Sequence, residues 1–98
     1  MNKFDQIRSW AEARGIFAKG DVKTQTVKLM EEVGELSKAV INNDQIELVD
    51  AIGDCVVVLT NLSHLAGFKI EDCIDSAYEE IKDRTGHMAG GTFKKDES

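Results

Sequence analysis

Proline is absent from this chain of 98 residues, and six of its eight glycines lie between periodic segments or near the C-terminus, Gly34 and Gly53 being the exceptions. Nothing in the periodic segments therefore obliges a helix to break, and long uninterrupted helices are the natural expectation. Cysteine is scarce. Cys55 and Cys73 have a spacing that fits neither a zinc site nor a disulfide framework, and Cys55 lies in an apolar run where it reads as a small core residue. Positive charge is also in deficit: a formal net charge of −6 argues against broad electrostatic binding to DNA or RNA. It leaves room for a small polyanionic substrate if a metal ion bridges the two negative partners. The polar, amphipathic N-terminus carries no secretory pattern. No apolar run approaches the roughly 20 residues that a membrane span needs. The expected setting is soluble, reducing and cytoplasmic.

What is present is helical periodicity within a single domain, residues 1–98. The first segment, about Lys3 to Arg14, repeats Phe4, Ile7 and Ala11 at helical spacing, with Gly15 able to end it. Residues 15–20 read as a connector. The second helix runs from near Asp21 to Ile41, with Leu29, Met30, Val33, Leu36 and Val40 as its apolar stripe, and Asn42–Asn43 break it. Asp44 and Glu47 resemble a capping box at the head of the third helix, which continues to about Ala66 with Gly67 as its C-cap. The fourth runs from Ile70 to about Arg84, with Ile70, Cys73, Ile74, Ala77 and Ile81 inward, and a flexible tail is expected from about residue 86. The β-branched run Cys55–Leu59 suits a buried strand in isolation. It lies inside a segment of helical polar spacing, however, and has no partner strand. The expected fold is all-α, a four-helix bundle-like domain.

The chemistry sits in the acids. At about 100° per residue, Glu31, Glu32 and Glu35 share an arc of roughly 100° on the second helix. Local pairing with Lys28 and Lys38 would explain them equally well as a solvated face. On the third helix, Glu47, Asp50, Asp54 and Asn61 form a stripe about 60° wide while almost everything else from Ile46 to Leu62 is apolar. A helix apolar nearly all round is expected to be buried. Several buried acids with no lysine or arginine among them call for a cation. Glu47 can instead serve only the cap, and Asn61 can be a hydrogen-bonded core residue. The short Asn42–Asn43 connection makes the two helices antiparallel neighbours and allows their acidic patches to face each other. Hard oxygen ligands favour magnesium or manganese; zinc is disfavoured because His64 and His87 form no ligand pattern with the cysteines.

The segment Lys28-Leu-Met-Glu-Glu-Val-Gly-Glu-Leu36, followed by Asp50-Ala-Ile-Gly-Asp-Cys-Val-Val-Val-Leu-Thr-Asn61, resembles the MazG-like family of all-α nucleoside triphosphate pyrophosphohydrolases. The resemblance covers roughly Thr24 to Arg84. Glu31, Glu32 and Glu35 match the family's Glu-Glu-x-x-Glu, and the Gly53–Asp54 pair with Asn61 matches its second half. The family's second-half glutamate falls on Ala51, which cannot ligate, while Asp50 lies one turn before Asp54. A literal Glu-x-x-Asp also occurs at Glu47 and Asp50. The tail from Lys82 to Phe93 looks like that of short, often phage-encoded members, which would place the chain in a host cytoplasm.

The resemblance implies magnesium-dependent cleavage of an NTP or dNTP between the α and β phosphates, and assembly as a homodimer or homotetramer. Glu32, Glu35, Asp50 and Asp54 are the expected metal ligands, with manganese a possible substitute, and Glu31 would orient or deprotonate water. Lys28, Lys38, Lys82 and Arg84 are phosphate candidates. Lys82 and Arg84 serve equally as charges complementing a helix C-terminus. Asn61 and Trp10 are candidates for the base, although a lone tryptophan is more often a core or interface residue. Two other functions fit the same residues: a non-enzymatic helical interaction module, and a pyrophosphohydrolase acting on a phosphoribosyl nucleotide. Four helices from so short a chain leave the apolar third helix short of cover, so a second copy is expected to pair with it and lend Lys or Arg to the site.

Overall fold

The computed structural model describes residues 1–97 and is mostly helical. It holds five helices: α1 (Lys3–Ala13), α2 (Ile16–Lys19), α3 (Val22–Ile41), α4 (Gln45–Leu65) and α5 (Ile70–Ile81). Two short strands follow, β1 (Gly86–Ala89) and β2 (Thr92–Lys95). α1, α3 and α4 start where side-chain caps supply an acceptor for an otherwise unpaired N–H. The Asn2 side chain accepts from the Asp5 N–H at 2.8 Å, Asp21 from Thr24 at 2.7 Å and Asp44 from Glu47 at 3.1 Å. The expected capping box is only half made. The Asp44 N–H donates to the Ala39 carbonyl rather than to Glu47, so the Glu47 carboxylate is not consumed by the cap. The Cys55–Leu59 run is helical, as its polar spacing required.

α3 and α4 form an antiparallel hairpin around the Asn42–Asn43 turn and make the largest interface of the fold. Small residues permit the close approach: Ala39 on α3 and Ala51 on α4 are buried. α1 lies across α4 with Ala11 fully buried. The connector at 15–20 is a one-turn helix rather than a plain loop. Gly15, at φ +78°, turns the chain into α2, and Phe17 stacks on His64 of α4 at 3.9 Å between ring centroids. Arg8 of α1 bridges to α5, donating to both Glu71 oxygens at 2.7 and 2.6 Å and to Asp5 at 2.7 Å.

Three expectations need correction. The segment from residue 86, expected as a flexible tail, forms an antiparallel hairpin pairing Gly86 with Lys95 and Met88 with Phe93. Its Gly90–Gly91 turn has positive φ at both residues, the conformation that short hairpin loops favour. The last helix ends at Ile81, three residues short of Arg84. The apolar stripes are not covered. On α4, Ile46 is 87 % and Val49 74 % exposed; on α3, Met30 is 70 % exposed; on α5, Cys73, Ile74 and Ile81 face solvent. A helix apolar all round does belong in an interior, but a single chain of this length supplies neighbours for only one side of it.

The surface area makes the same point. The chain exposes 7380 Å². A compact monomer of its 10.8 kDa mass is expected to expose about 5,500 Å². Its radius of gyration is 16.1 Å, against about 13 Å for a compact domain of about 100 residues. No helix is long and apolar enough to cross a membrane.

Candidate functional site

The antiparallel α3–α4 pair brings acids from both helices together. Asp54 on α4 lies close enough to Asp50, one turn before it, and to Glu32 on α3 to feel both charges. Burial, and then the charges of Asp50 and Glu32, hold the Asp54 carboxyl above the ordinary carboxylate range. Lys28 is the cation drawn to this cluster. Its ammonium lies 3.3 Å from Glu32 and 3.7 Å from Glu31, and Glu32 raises the lysine's pKa by hydrogen bonding and charge. Lys28 thus makes the local pairing that the helix spacing allowed.

The other expected site residues divide between separate places. Glu31 is exposed at the edge of the cluster, tied to Lys28. Glu35 and Lys38 lie nearer the turn, where they line a polar cavity of about 320 Å³ with Ala39, Asn42, Asp44 and Glu47. Asn61, two turns beyond Asp54, is 2 % exposed, and its Oδ1 has no hydrogen-bond partner. An orphaned buried acceptor costs about 1–3 kcal/mol. Lys82 pairs with Glu79 at 2.7 Å beyond the end of α5, and Arg84 lines a cavity with Lys95, Asp96 and Glu97. Neither reaches the Asp54 cluster within one chain as lining of its cleft.

Trp10 and Asp54 share a mostly apolar cleft of about 370 Å³ between α1 and α4. The Arg14 guanidinium covers one side of the indole at 4.6 Å from the ring centroid. Lys3, Gln6, Ile7 and Val57 complete the lining and were not anticipated. The signal was available, because Lys3, Gln6, Ile7 and Trp10 repeat at three- and four-residue spacing along one face of α1. That α1 would lie over Asp54 was not readable from spacing.

Hard carboxylate oxygens are the donor type that magnesium or manganese takes. The cluster offers only hard carboxylate oxygens, and its like charges already disfavour the ionised form of Asp54. Among the described residues, though, no three His, Cys, Asp or Glu side chains close into a metal cage. The carboxylates are gathered without being drawn tight.

Residues 21–89 match the family model described as the MazG nucleotide pyrophosphohydrolase domain. The chain belongs to the MazG family. The match begins at the α3 cap and ends with β1, so it takes in the hairpin's first strand as well as the paired helices. This MazG chain is also 40% identical over 75 residues, or 76% of its length, to a protein of Haemophilus phage HP1 (strain HP1c1) described as an uncharacterized 18.2 kDa protein in the rep-hol intergenic region. The aligned stretch spans 42% of the phage protein. No solved structure matches the chain.

Proposed function

We propose that the chain hydrolyses a nucleoside or deoxynucleoside triphosphate between its α and β phosphates, releasing the monophosphate and pyrophosphate. The observation that carries this reading is the Glu32–Asp50–Asp54 cluster, strained by like charge and opening through Asp54 onto an apolar cleft that contains Trp10. Carboxylates that repel one another are poised for a magnesium-bound polyphosphate, and an aromatic wall beside them suits a base.

In this reading Glu32, Asp50 and Asp54 hold magnesium or manganese, with Glu35 joining from the next turn of α3. The bound ion would acidify water and neutralise phosphate charge. Glu31 orients the attacking water at the rim of the cluster, where its carboxylate lies 3.7 Å from the Lys28 ammonium. The Trp10 face not covered by Arg14 receives the base, and the unpartnered Asn61 Oδ1 accepts a hydrogen bond from the nucleotide. Lys38 faces the phosphates from the polar cavity. The active unit is a homodimer or a tetramer built from it, because the exposed helix faces need cover.

A panel of ribo- and deoxynucleoside triphosphates with magnesium, scored for monophosphate and pyrophosphate, tests the reading. Glu32→Ala and Asp54→Ala variants should lose turnover while keeping their helical circular dichroism. Unchanged pyrophosphate release by both would remove the carboxylate assignment. A panel wholly inert except for phosphoribosyl nucleotides would move the substrate class, and no thermal stabilisation by metal plus any nucleotide would favour a non-enzymatic helical module.

A further inference from the structure

Among the described residues, the Arg8–Glu71 fork is the one side-chain hydrogen bond or ion pair that joins two different helices. Every other such pair stays within one helix and its cap or closes the base of the C-terminal hairpin. The two parallel bonds, 2.7 and 2.6 Å, fix the carboxylate in direction as well as distance. Arg8 is 13 % and Glu71 29 % exposed at the side chain, so the pair is only partly screened by solvent. At about 100° per residue, Lys3, Gln6, Ile7 and Trp10 span an arc of about 100° that lines the Asp54 cleft, and Arg8 stands about 150° from the middle of that arc. The fully buried Ala11 lies between the two, on the side packed toward the core. The Arg8 brace therefore acts on the flank of α1 opposite the cleft. The ends of α1 are also held differently. At the C-terminal end Gly15 turns into α2, whose Phe17 stacks on His64 of α4. Towards the N-terminal end, α1 and α5 have no substantial packed interface, and the fork is what reaches across. The residues that match the family model begin at 21, so nothing in that match accounts for a brace made by α1.

We propose that Arg8 is a positioning residue: through Glu71 it holds α1 at the roll that presents Trp10 to a nucleobase in the Asp54 cleft. This rests on the nucleotide reading above for what fills the cleft, but not for the hold on the indole. Arg8 is on the far flank of the helix and acts through Trp10 rather than on the substrate. With the fork broken, α1 rests on α4 with no polar bond to set its roll, and the wall of the cleft is free to turn away from Asp54.

Trp10 is the chain's one tryptophan, so intrinsic fluorescence reads the wall directly. In nucleotide-free protein, Arg8→Ala and Glu71→Gln should each increase acrylamide quenching by as much as about twofold, the room left to an indole already 44 % exposed, with helical circular dichroism retained. Glu71→Gln removes the charge from α5 and leaves α1 unaltered, so it answers for an Arg8 variant that folds poorly. Steady-state kinetics on the best substrate of the triphosphate panel gives the second readout. Both variants should raise KM several-fold with a smaller change in kcat, and Arg8→Lys, which keeps the charge without the fork, should fall between them and the parent. Loss of folded protein alone would lower apparent kcat at unchanged KM. Adding Arg8→Ala to Trp10→Ala should raise KM by less than the product of the two separate effects, because the residue through which Arg8 acts is gone. Unchanged quenching in both variants, or effects of Arg8→Ala and Trp10→Ala on KM that multiply in full, would overturn the proposal. A panel without turnover would overturn the nucleotide reading and leave quenching to decide the hold on Trp10.

Discussion

The exposed face of α4 makes a quantitative prediction. Val49 is 74 % exposed on a helix whose neighbours Ile46 and Ile52 are exposed too. A Val49→Asp substitution should leave the isolated chain's stability within about 0.5 kcal/mol, because the site touches little and the two residues have similar helix propensities. In a symmetric dimer it acts twice. Covering the exposed three-quarters of a valine side chain is worth about 1.1 kcal/mol, so two copies contribute about 2 kcal/mol, or roughly 30-fold in the dissociation constant. Desolvation of two unpaired carboxylates makes that a lower bound. Sedimentation equilibrium over a concentration series, beside circular dichroism of the same samples, separates association from folding. A dimer constant within threefold of the parent's, or a parent that stays monomeric at micromolar concentration, would refute the reasoning.

Other residues give further tests. Asp54→Asn should melt no lower than the parent at neutral pH without metal, because it removes a carboxylate whose ionised form is disfavoured in the fold, and it should lose the magnesium-dependent rise in melting temperature; differential scanning fluorimetry reads both. Arg8→Ala should destabilise the chain by releasing α1 from α5. Hydrogen bonds from Arg8, with a backbone N–H adding to them, hold the Glu71 carboxyl at about 2, so the ion pair's contribution is full above the ordinary carboxylate range and is lost as pH falls toward 2. Parent and variant melting temperatures should therefore converge with falling pH, and a constant gap would count against the pair. Gly86→Ala should disrupt the hairpin alone, since the new methyl meets the Lys94 carbonyl and the Phe93 ring; hairpin amide resonances should collapse while helical ones persist. Trp10→Ala should raise KM for nucleotide several-fold with less effect on kcat, and an unchanged KM would remove the indole from the binding cleft.

The sequence by itself determined the helices. Side chains at Asp21 and Asp44 cap from within three residues, and apolar spacing over some 20 residues is a repeated signal, so α3 and α4 begin and end close to where local chemistry places them. It also marked Asp50 and Asp54 as acids on a strongly apolar helix, and Glu32 through its match to the family's Glu-Glu-x-x-Glu segment, although Asp50 proves to be exposed. Which acids meet was a different matter. The axial offset of α3 against α4 puts Glu32 beside Asp54 and leaves Glu35 in a cavity with Glu47, and helical period carries no information about that offset. Likewise, periodicity identifies an apolar face without saying what covers it. Ile46 and Met30 have the pattern of core residues but are bare in one chain, because burial is a property of neighbours. Only the tertiary structure laid Trp10 over the Asp54 cleft and left the C-terminal hairpin standing apart from the helices. Caps and turns act over three or four residues; site assembly depends on contacts between residues far apart in the chain.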